Sequence, residues 1–219
     1  MKGVIFDMDG LMLDTERIAV LAYDHAGERT GIGKAGFITE RILGLTVSEA
    51  HPVWIAEFGD AYDEAGIEKY RREFCEEYYK THEVPVKKGL YELLDYLACK
   101  GFRLAVASST RRVRVEEKLS AVGVLKYFDA VICGDMVERS KPDPQIYLLA
   151  CESLGLPANE CYALEDSRSG LWSAHRAGCR PVMVPDLWLP DTETEGILHA
   201  ECRDLFEVMK IIDAEAGPL

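Results

Sequence analysis

No stretch of this chain approaches the ~20 consecutive apolar residues that a membrane-spanning helix requires. At the N-terminus, Lys2 is followed only by Val4, Ile5 and Phe6 before Asp7, too short an apolar region for a secretory signal. A cytoplasmic protein is expected. No basic run occurs either. Acidic residues outnumber basic ones 38 to 25, for a formal net charge of -13. Such a surface repels nucleic acid and anionic membranes, so neither is expected as a partner. There is no Cys-x-x-Cys pair, and the cysteines number seven, an odd count. Several sit inside apolar runs and read as small buried hydrophobes in a reducing compartment. Internal repeats and low-complexity segments are also lacking. An anionic small molecule remains open as a ligand, provided a metal, a lysine or backbone N–H groups supply local positive charge.

What is present is ample apolar material. Apolar residues make up 48% of the 219, enough for one core domain with a smaller insert. Five short apolar runs stand out: Val4–Phe6, Leu104–Ala107, Ala130–Cys133, Tyr162–Leu164 and Val182–Val184. They are continuous rather than alternating, as in strands buried on both faces of a parallel sheet. Helical stripes lie between and after them: Leu90, Leu93, Leu94 and Leu97; Val115, Leu119 and Val122; Ile146, Leu149, Ala150 and Leu154; Leu205, Val208, Met209 and Ile212. Gly101 and Gly155 follow two of these stripes, where a helix C-terminus favours a left-handed residue. The alternation predicts an α/β fold with a doubly wound, Rossmann-like, mostly parallel sheet.

One gap interrupts it. About eighty residues between the first run and Leu90 carry no strand pattern, and a structureless loop of that length is implausible. Three helical stripes fill it: Ile18, Leu21, Ala22 and His25; Val47, Ala50, Trp54 and Phe58; Ile67, Tyr70, Phe74 and Tyr78. The reading is a catalytic α/β core of residues 1–14 and 85–219 with an inserted all-helical cap domain of residues 15–84. Residues 190–195 read as a solvated polar loop.

In open α/β sheets ligands bind beyond the carboxyl ends of the strands. Asp7-Met8-Asp9-Gly10 follows the first run, Ser108-Ser109-Thr110 the second, a loop with Lys141 the third, and Glu165-Asp166 the fourth. Each has an ordinary reading. Asp-x-Asp-Gly makes turns, Ser-Ser-Thr and Asp-Ser start helices, and a lysine before proline is commonly solvated. Their joint placement at successive strand ends points to one shared site, suited to a magnesium ion and a phosphate.

These segments carry a resemblance. Val4 to Glu16 is similar to the first motif of the haloacid dehalogenase superfamily. Ala105 to Ser109 resembles the second, Ser140-Lys141-Pro142-Asp143-Pro144 the third, and Leu164 to Ser167 the fourth. The helical insert after the first motif resembles the cap of the β-phosphoglucomutase-like subgroup. The resemblance implies a magnesium-dependent phosphatase acting through an aspartyl-phosphate on a small phosphomonoester, a sugar phosphate or a nucleotide-like metabolite, as a monomer or weak dimer. It implies Asp7 as nucleophile and Asp9 as general acid and base. Asp7, the Asp9 carbonyl and Asp166 would hold Mg2+, with Glu165 ligating directly or through water. Ser108, Ser109, Gly10 and Lys141 would hold the phosphoryl group, Lys141 also as a catalytic charge. Met12, Leu13 and Thr15 would lie where core and insert meet, and Lys34 and Arg41 are candidates for a distal anion.

The rival within the subgroup is a sugar-phosphate mutase. The position matching its histidine here is Ala19, and residues 45–50, next to its cap arginine near Gly44-Leu45-Thr46, contain no basic side chain. A non-enzymatic phospho-acceptor is the rival of another class, but such receivers lack a large helical insert after the first strand.

Overall fold

The computed structural model describes residues 3–42, 45 and 47–216. The chain divides into two compact units, Met1–Leu13 with Val86–Leu219, and Asp14–Pro85. Within the described residues of the first unit, six strands form one sheet: β1 (Gly3–Phe6), β2 (Arg103–Ser108), β3 (Ala130–Cys133), β4 (Cys161–Glu165), β5 (Arg180–Met183) and β6 (Ala200–Glu201). Their order is β3-β2-β1-β4-β5-β6 and every pair is parallel. This is the doubly wound arrangement that the alternating pattern predicts, and strand order reverses direction on either side of β1.

Successive strand residues point to opposite faces, and both faces are covered. Ile5, Ala105, Ala107 and Ala163 share a cluster with Ile146, Tyr147, Ala150 and Ala174. The helices they meet are α7 (Gln145–Leu154) and α8 (Arg168–Ala177). Tyr162 faces the other way, and its hydroxyl donates to Glu215 Oε2 at 2.6 Å on the C-terminal helix, α10 (Leu205–Ala216). That helix pairs with α5 (Leu90–Cys99), where the Tyr96 hydroxyl donates to Asp213. Leu90, Leu93, Leu94 and Leu97 are fully buried, as their spacing predicts. Gly155 closes α7 in the left-handed region, and Gly101 lies just past the end of α5 with φ 72. The short helix α6 (Arg112–Ala121) follows β2 and packs beside β3.

Three elements escape the sequence pattern. β6 is a two-residue strand held by its edge pairing to β5. The buried face of α8 is Ser169, Gly170, Ser173, Ala174 and Ala177, with Leu171 its one large member, so no apolar stripe announces it. Residues 190–195 are not merely a solvated loop. A turn of helix, α9 (Thr192–Glu195), starts there with Asp191 and Thr194 in a reciprocal capping box, and Thr194 is buried. The cysteine reading holds in part: Cys133, Cys151, Cys161, Cys179 and Cys202 are buried, but Cys75 is half-buried and Cys99 exposed.

The α-helices among the described residues of the second unit are α1 (Glu16–Thr30), α2 (Thr39–Ile42), α3 (Val47–Phe58) and α4 (Glu64–Thr81). Its core joins Ala26, Ala35, Ile38, Trp54 and Ile67, with Tyr62 stacked on Trp54 at 5.1 Å. The expected α1 stripe is shifted. Leu21 is exposed, while Ile18, Ala22, Ala26 and Gly27 face inward. Gly44 and Thr46, cited against the mutase reading, lie outside the described residues, as does the Val47 side chain. Lys34 lies 3.9 Å from Asp24 and Arg41 is paired with Glu57 at 2.5 Å, so each already faces an acid. No described helix is long and apolar enough to cross a membrane.

Ile5 sits on the central strand with no exposure. Ile5→Ala should lower unfolding free energy by about 2–5 kcal/mol, the usual cost of such a cavity. Chemical denaturation measures it; a loss below about 1 kcal/mol would remove β1 from the core.

Candidate active site

The first strand leads directly into the site. The Asp7 N–H donates to the Leu164 carbonyl, continuing the ladder with β4. The chain then turns sharply. Met12 and Leu13 N–H groups both donate to the Met8 carbonyl, and Gly10 N–H to that of Leu13. Gly10 has φ 85, a conformation open to glycine at little cost. Its missing side chain matters as much as its backbone. A Cβ there would lie 2.0 Å from Asp166 Oδ2.

Asp7, Ser108, Lys141, Glu165 and Asp166 are each more than nine-tenths buried; Ser108 and Glu165 end β2 and β4, Asp7 and Asp166 follow β1 and β4, and Lys141 lies on the loop after β3. Lys141 joins them. Its Nζ donates to Asp7 Oδ1 at 2.6 Å, to Glu165 Oε1 at 2.6 Å and to the Ala107 carbonyl at 2.9 Å. Those contacts use all three ammonium protons and fix its direction. Glu165 is held from further sides: the Tyr147 hydroxyl donates to Oε1 at 2.6 Å and the Ser167 hydroxyl to Oε2 at 3.0 Å. Ser167 also caps α8 by accepting from Gly170 N–H. A Cβ on Gly170 would meet the Glu165 carboxyl group at about 2 Å, so a wider residue there would displace it.

Around this centre the second motif divides. Ser108 is buried, and its Oγ accepts from Thr110 N–H at 3.2 Å, leaving its own proton to donate. The Ser109 side chain is exposed and stands apart from the buried group. Thr110 is not a helix cap. The residue before α6 is Arg111, which makes no side-chain cap bond, and the Thr110 hydroxyl donates to Asp9 Oδ2 at 2.9 Å. Asp9 Oδ1 accepts from Lys118 Nζ at 2.6 Å.

Sequence reasoning found the strand-end groups but missed Tyr147 and Lys118. A tyrosine within the otherwise apolar stripe of α7 was a usable signal, because a buried phenol needs a partner. Nothing in the sequence marks Lys118. Burial, with Glu165 and Asp7 close by, pushes the Tyr147 phenol well above its ordinary value, so it stays a donor. Burial alone would weaken the Lys141 charge, but Asp7 and Glu165 overcome it and hold the ammonium protonated. For Asp7 burial is the largest influence and raises the carboxyl; Lys141 opposes it, Glu165 and Asp9 add to it, and the balance is pushed up to about 8.

A family model for haloacid dehalogenase-like hydrolases matches residues 4–184. The chain belongs to this family. It is 34% identical over 180 residues to the phosphorylated carbohydrates phosphatase of Thermotoga maritima, covering 81% of this chain and 82% of that one. It is 26% identical over 219 residues to the β-phosphoglucomutase of Bacillus subtilis, covering 92% and 95%. The crystal structure of CbbY from Rhodobacter sphaeroides in complex with phosphate superposes with a TM-score of 0.78 at 26% identity, covering 95% and 96%. The chain is thus a haloacid dehalogenase-like enzyme of the β-phosphoglucomutase-like subgroup.

Enzymes of this family generally use a divalent metal ion. The residues present fit one. Asp7, Glu165 and Asp166 each offer a buried carboxylate oxygen, all within 4.8 Å of one another. Oxygen donors suit a hard cation. When all three are ionised they exceed the one ammonium of Lys141 by two negative charges, which one divalent ion balances.

Two tests follow. Gly10→Ala should weaken Mg2+ binding, measured by calorimetry, by about 10- to 100-fold, as when a group that orients a ligand is lost; unchanged affinity would separate Gly10 from the site. The second uses pH. Folded Asp7 keeps its proton up to about 8, against an ordinary 3.8. The folded state therefore binds more protons between these values, and stability falls as pH rises through that window. In chelator-treated protein, the melting temperature should drop more steeply with pH for the parent than for Asp7→Asn; parallel profiles would contradict this.

Proposed function

We propose that this enzyme is a magnesium-dependent phosphatase that hydrolyses a small phosphorylated carbohydrate through an aspartyl-phosphate on Asp7. The observation that carries the proposal is the convergence on Asp7. A carboxylate nucleophile at the strand-order switch point is aimed by Lys141, flanked by two further acids and adjoined by a buried serine hydroxyl. The names of its relatives support phosphate-ester chemistry and a sugar-like substrate.

Mg2+ would be held by Asp7, Asp166 and the Asp9 carbonyl, and when bound it reduces repulsion between the acidic cluster and a phosphate dianion. Glu165 lies in the same cluster, but its contacts with Lys141, Tyr147 and Ser167 suit it to anchoring the lysine. The Asp7 oxygen attacks phosphorus, forming an O–P bond as the bond from phosphorus to the leaving oxygen breaks. Asp9 gives its proton to that leaving oxygen. Water then attacks phosphorus, Asp9 takes up a proton from it, and the phosphate leaves with Asp7 restored as a carboxylate. Through both steps, Ser108 Oγ–H donates to a phosphoryl oxygen, and the Lys141 ammonium, held beside Asp7, offsets the charge spread over those oxygens. Ser109 contributes its backbone N–H at the approach to α6. To residues 15–84 we assign the role of the family's cap, which selects the remainder of the substrate.

A panel of sugar phosphates assayed with and without Mg2+ tests the reading. Asp7→Asn should keep its circular dichroism and lose turnover to background. Lys141→Ala should lower kcat by about 10²- to 10³-fold, as for lost charge stabilisation. Turnover by Asp7→Asn equal to the parent would remove Asp7 as nucleophile. Isomerisation of β-glucose 1-phosphate outrunning phosphate release would replace the phosphatase by a mutase.

A further inference from the structure

Asp9 is the group that must move protons in both half-reactions, and the way it is held is specific. Both of its carboxylate oxygens are engaged by side chains from the segment that leaves β2. Thr110 Oγ1 donates to Oδ2 at 2.9 Å, and Lys118 Nζ to Oδ1 at 2.6 Å. Asp9 and Lys118 are partly buried, with 24% and 22% side-chain exposure. The pair is therefore less screened than a surface ion pair. Lys118 lies on the second turn of α6, and helical side chains lean toward the N-terminus of their helix. That lean carries its ammonium back to the sheet edge, where Thr110 already stands. The two donors span a separation of more than one hundred residues from Asp9.

We propose that Lys118, with Thr110, is a positioning residue that fixes the Asp9 carboxyl group for proton transfer to the leaving oxygen. The proposal rests on the reading of Asp9 as general acid and base. A carboxylate on a turn between β1 and the insert has two free side-chain torsions. Two donors on its two oxygens remove that freedom before substrate arrives, and a charge-assisted contact does so more firmly than a neutral one. Lys118 itself is assigned no contact with the substrate and acts through the Asp9 carboxyl group. It belongs to none of the strand-end motifs, so its contribution is legible only in three dimensions.

Because positioning acts through Asp9, its effect should vanish when Asp9 cannot transfer a proton. It should also depend on how much the leaving group needs one. The experiment is a double-mutant cycle of Lys118→Met and Asp9→Asn, read as kcat/KM on a sugar phosphate and on p-nitrophenyl phosphate, whose leaving group departs almost unaided. Melting temperatures check that the variants fold. Lys118→Met should cost about 10-fold or more on the sugar phosphate and under about 3-fold on the aryl phosphate, and within the Asp9→Asn background less than about 2-fold on either. Lys118→Arg should recover most of the loss, and Thr110→Val should show the same leaving-group dependence at smaller size. Additive losses in the double variant, or equal losses on both substrates, would overturn the positioning role while leaving Asp9 as the acid. An Asp9→Asn loss that is itself equal on both substrates would remove Asp9 as proton donor, and the positioning role with it.

Discussion

Three carboxylic acids buried at the edge of one sheet, two of them bridged by a single lysine, set the terms for the rest of this structure. Asp7, Glu165 and Asp166 would repel one another strongly out of water, and an isolated buried charge is among the costliest features a fold can carry. Lys141 answers part of that cost with two contacts of 2.6 Å. The remainder of the negative charge is the electrostatic reason that a divalent cation fits there. Burial of Asp7 raises its hold on a proton, and each neighbouring positive charge returns it toward the ionised form that a nucleophile needs.

Much of the surrounding sequence can be understood as room made for those charges. Gly10 is narrow where Asp166 passes, and Gly170 is narrow where Glu165 passes. On either side of the cluster, hydroxyl groups donate to the carboxylates: Tyr147 and Ser167 to Glu165, Thr110 to Asp9. The parallel sheet makes this economical. Strands β1, β2 and β4 end near one another, so Asp7, Ser108, Glu165 and Asp166 arrive at the same edge from the strand ends, and Lys141 is brought to them by the loop after β3.

That geometry also explains what was legible beforehand. The first five strands are readable because both faces of the sheet are buried, which demands unbroken apolar runs such as Val4 to Phe6. The site's main acids, its serine and its lysine are readable because their positions after successive strands imply one location. The unread parts have physical causes. β6 is held by pairing and not by side chains. The α8 face is built from small residues because it must pass close to Glu165 and β4, and small residues leave no apolar stripe. Asp191 and Thr194 look like a solvated loop until they cap each other. Thr110 reads locally as a helix start, whereas its hydroxyl is spent on Asp9. Lys118 and Tyr147 acquire meaning only from partners 109 and 18 residues away.

The most direct measurement of the central claim is chemical trapping of the covalent intermediate. Enzyme turning over a phosphorylated sugar would be quenched, reduced with borohydride, which converts an acyl phosphate to an alcohol, and mapped by peptide mass spectrometry. The account predicts reduction at Asp7 and nowhere else, dependent on Mg2+ and on substrate. Reduction at another acid such as Asp9 or Asp166, or phosphate release with no residue modified during turnover, would contradict it.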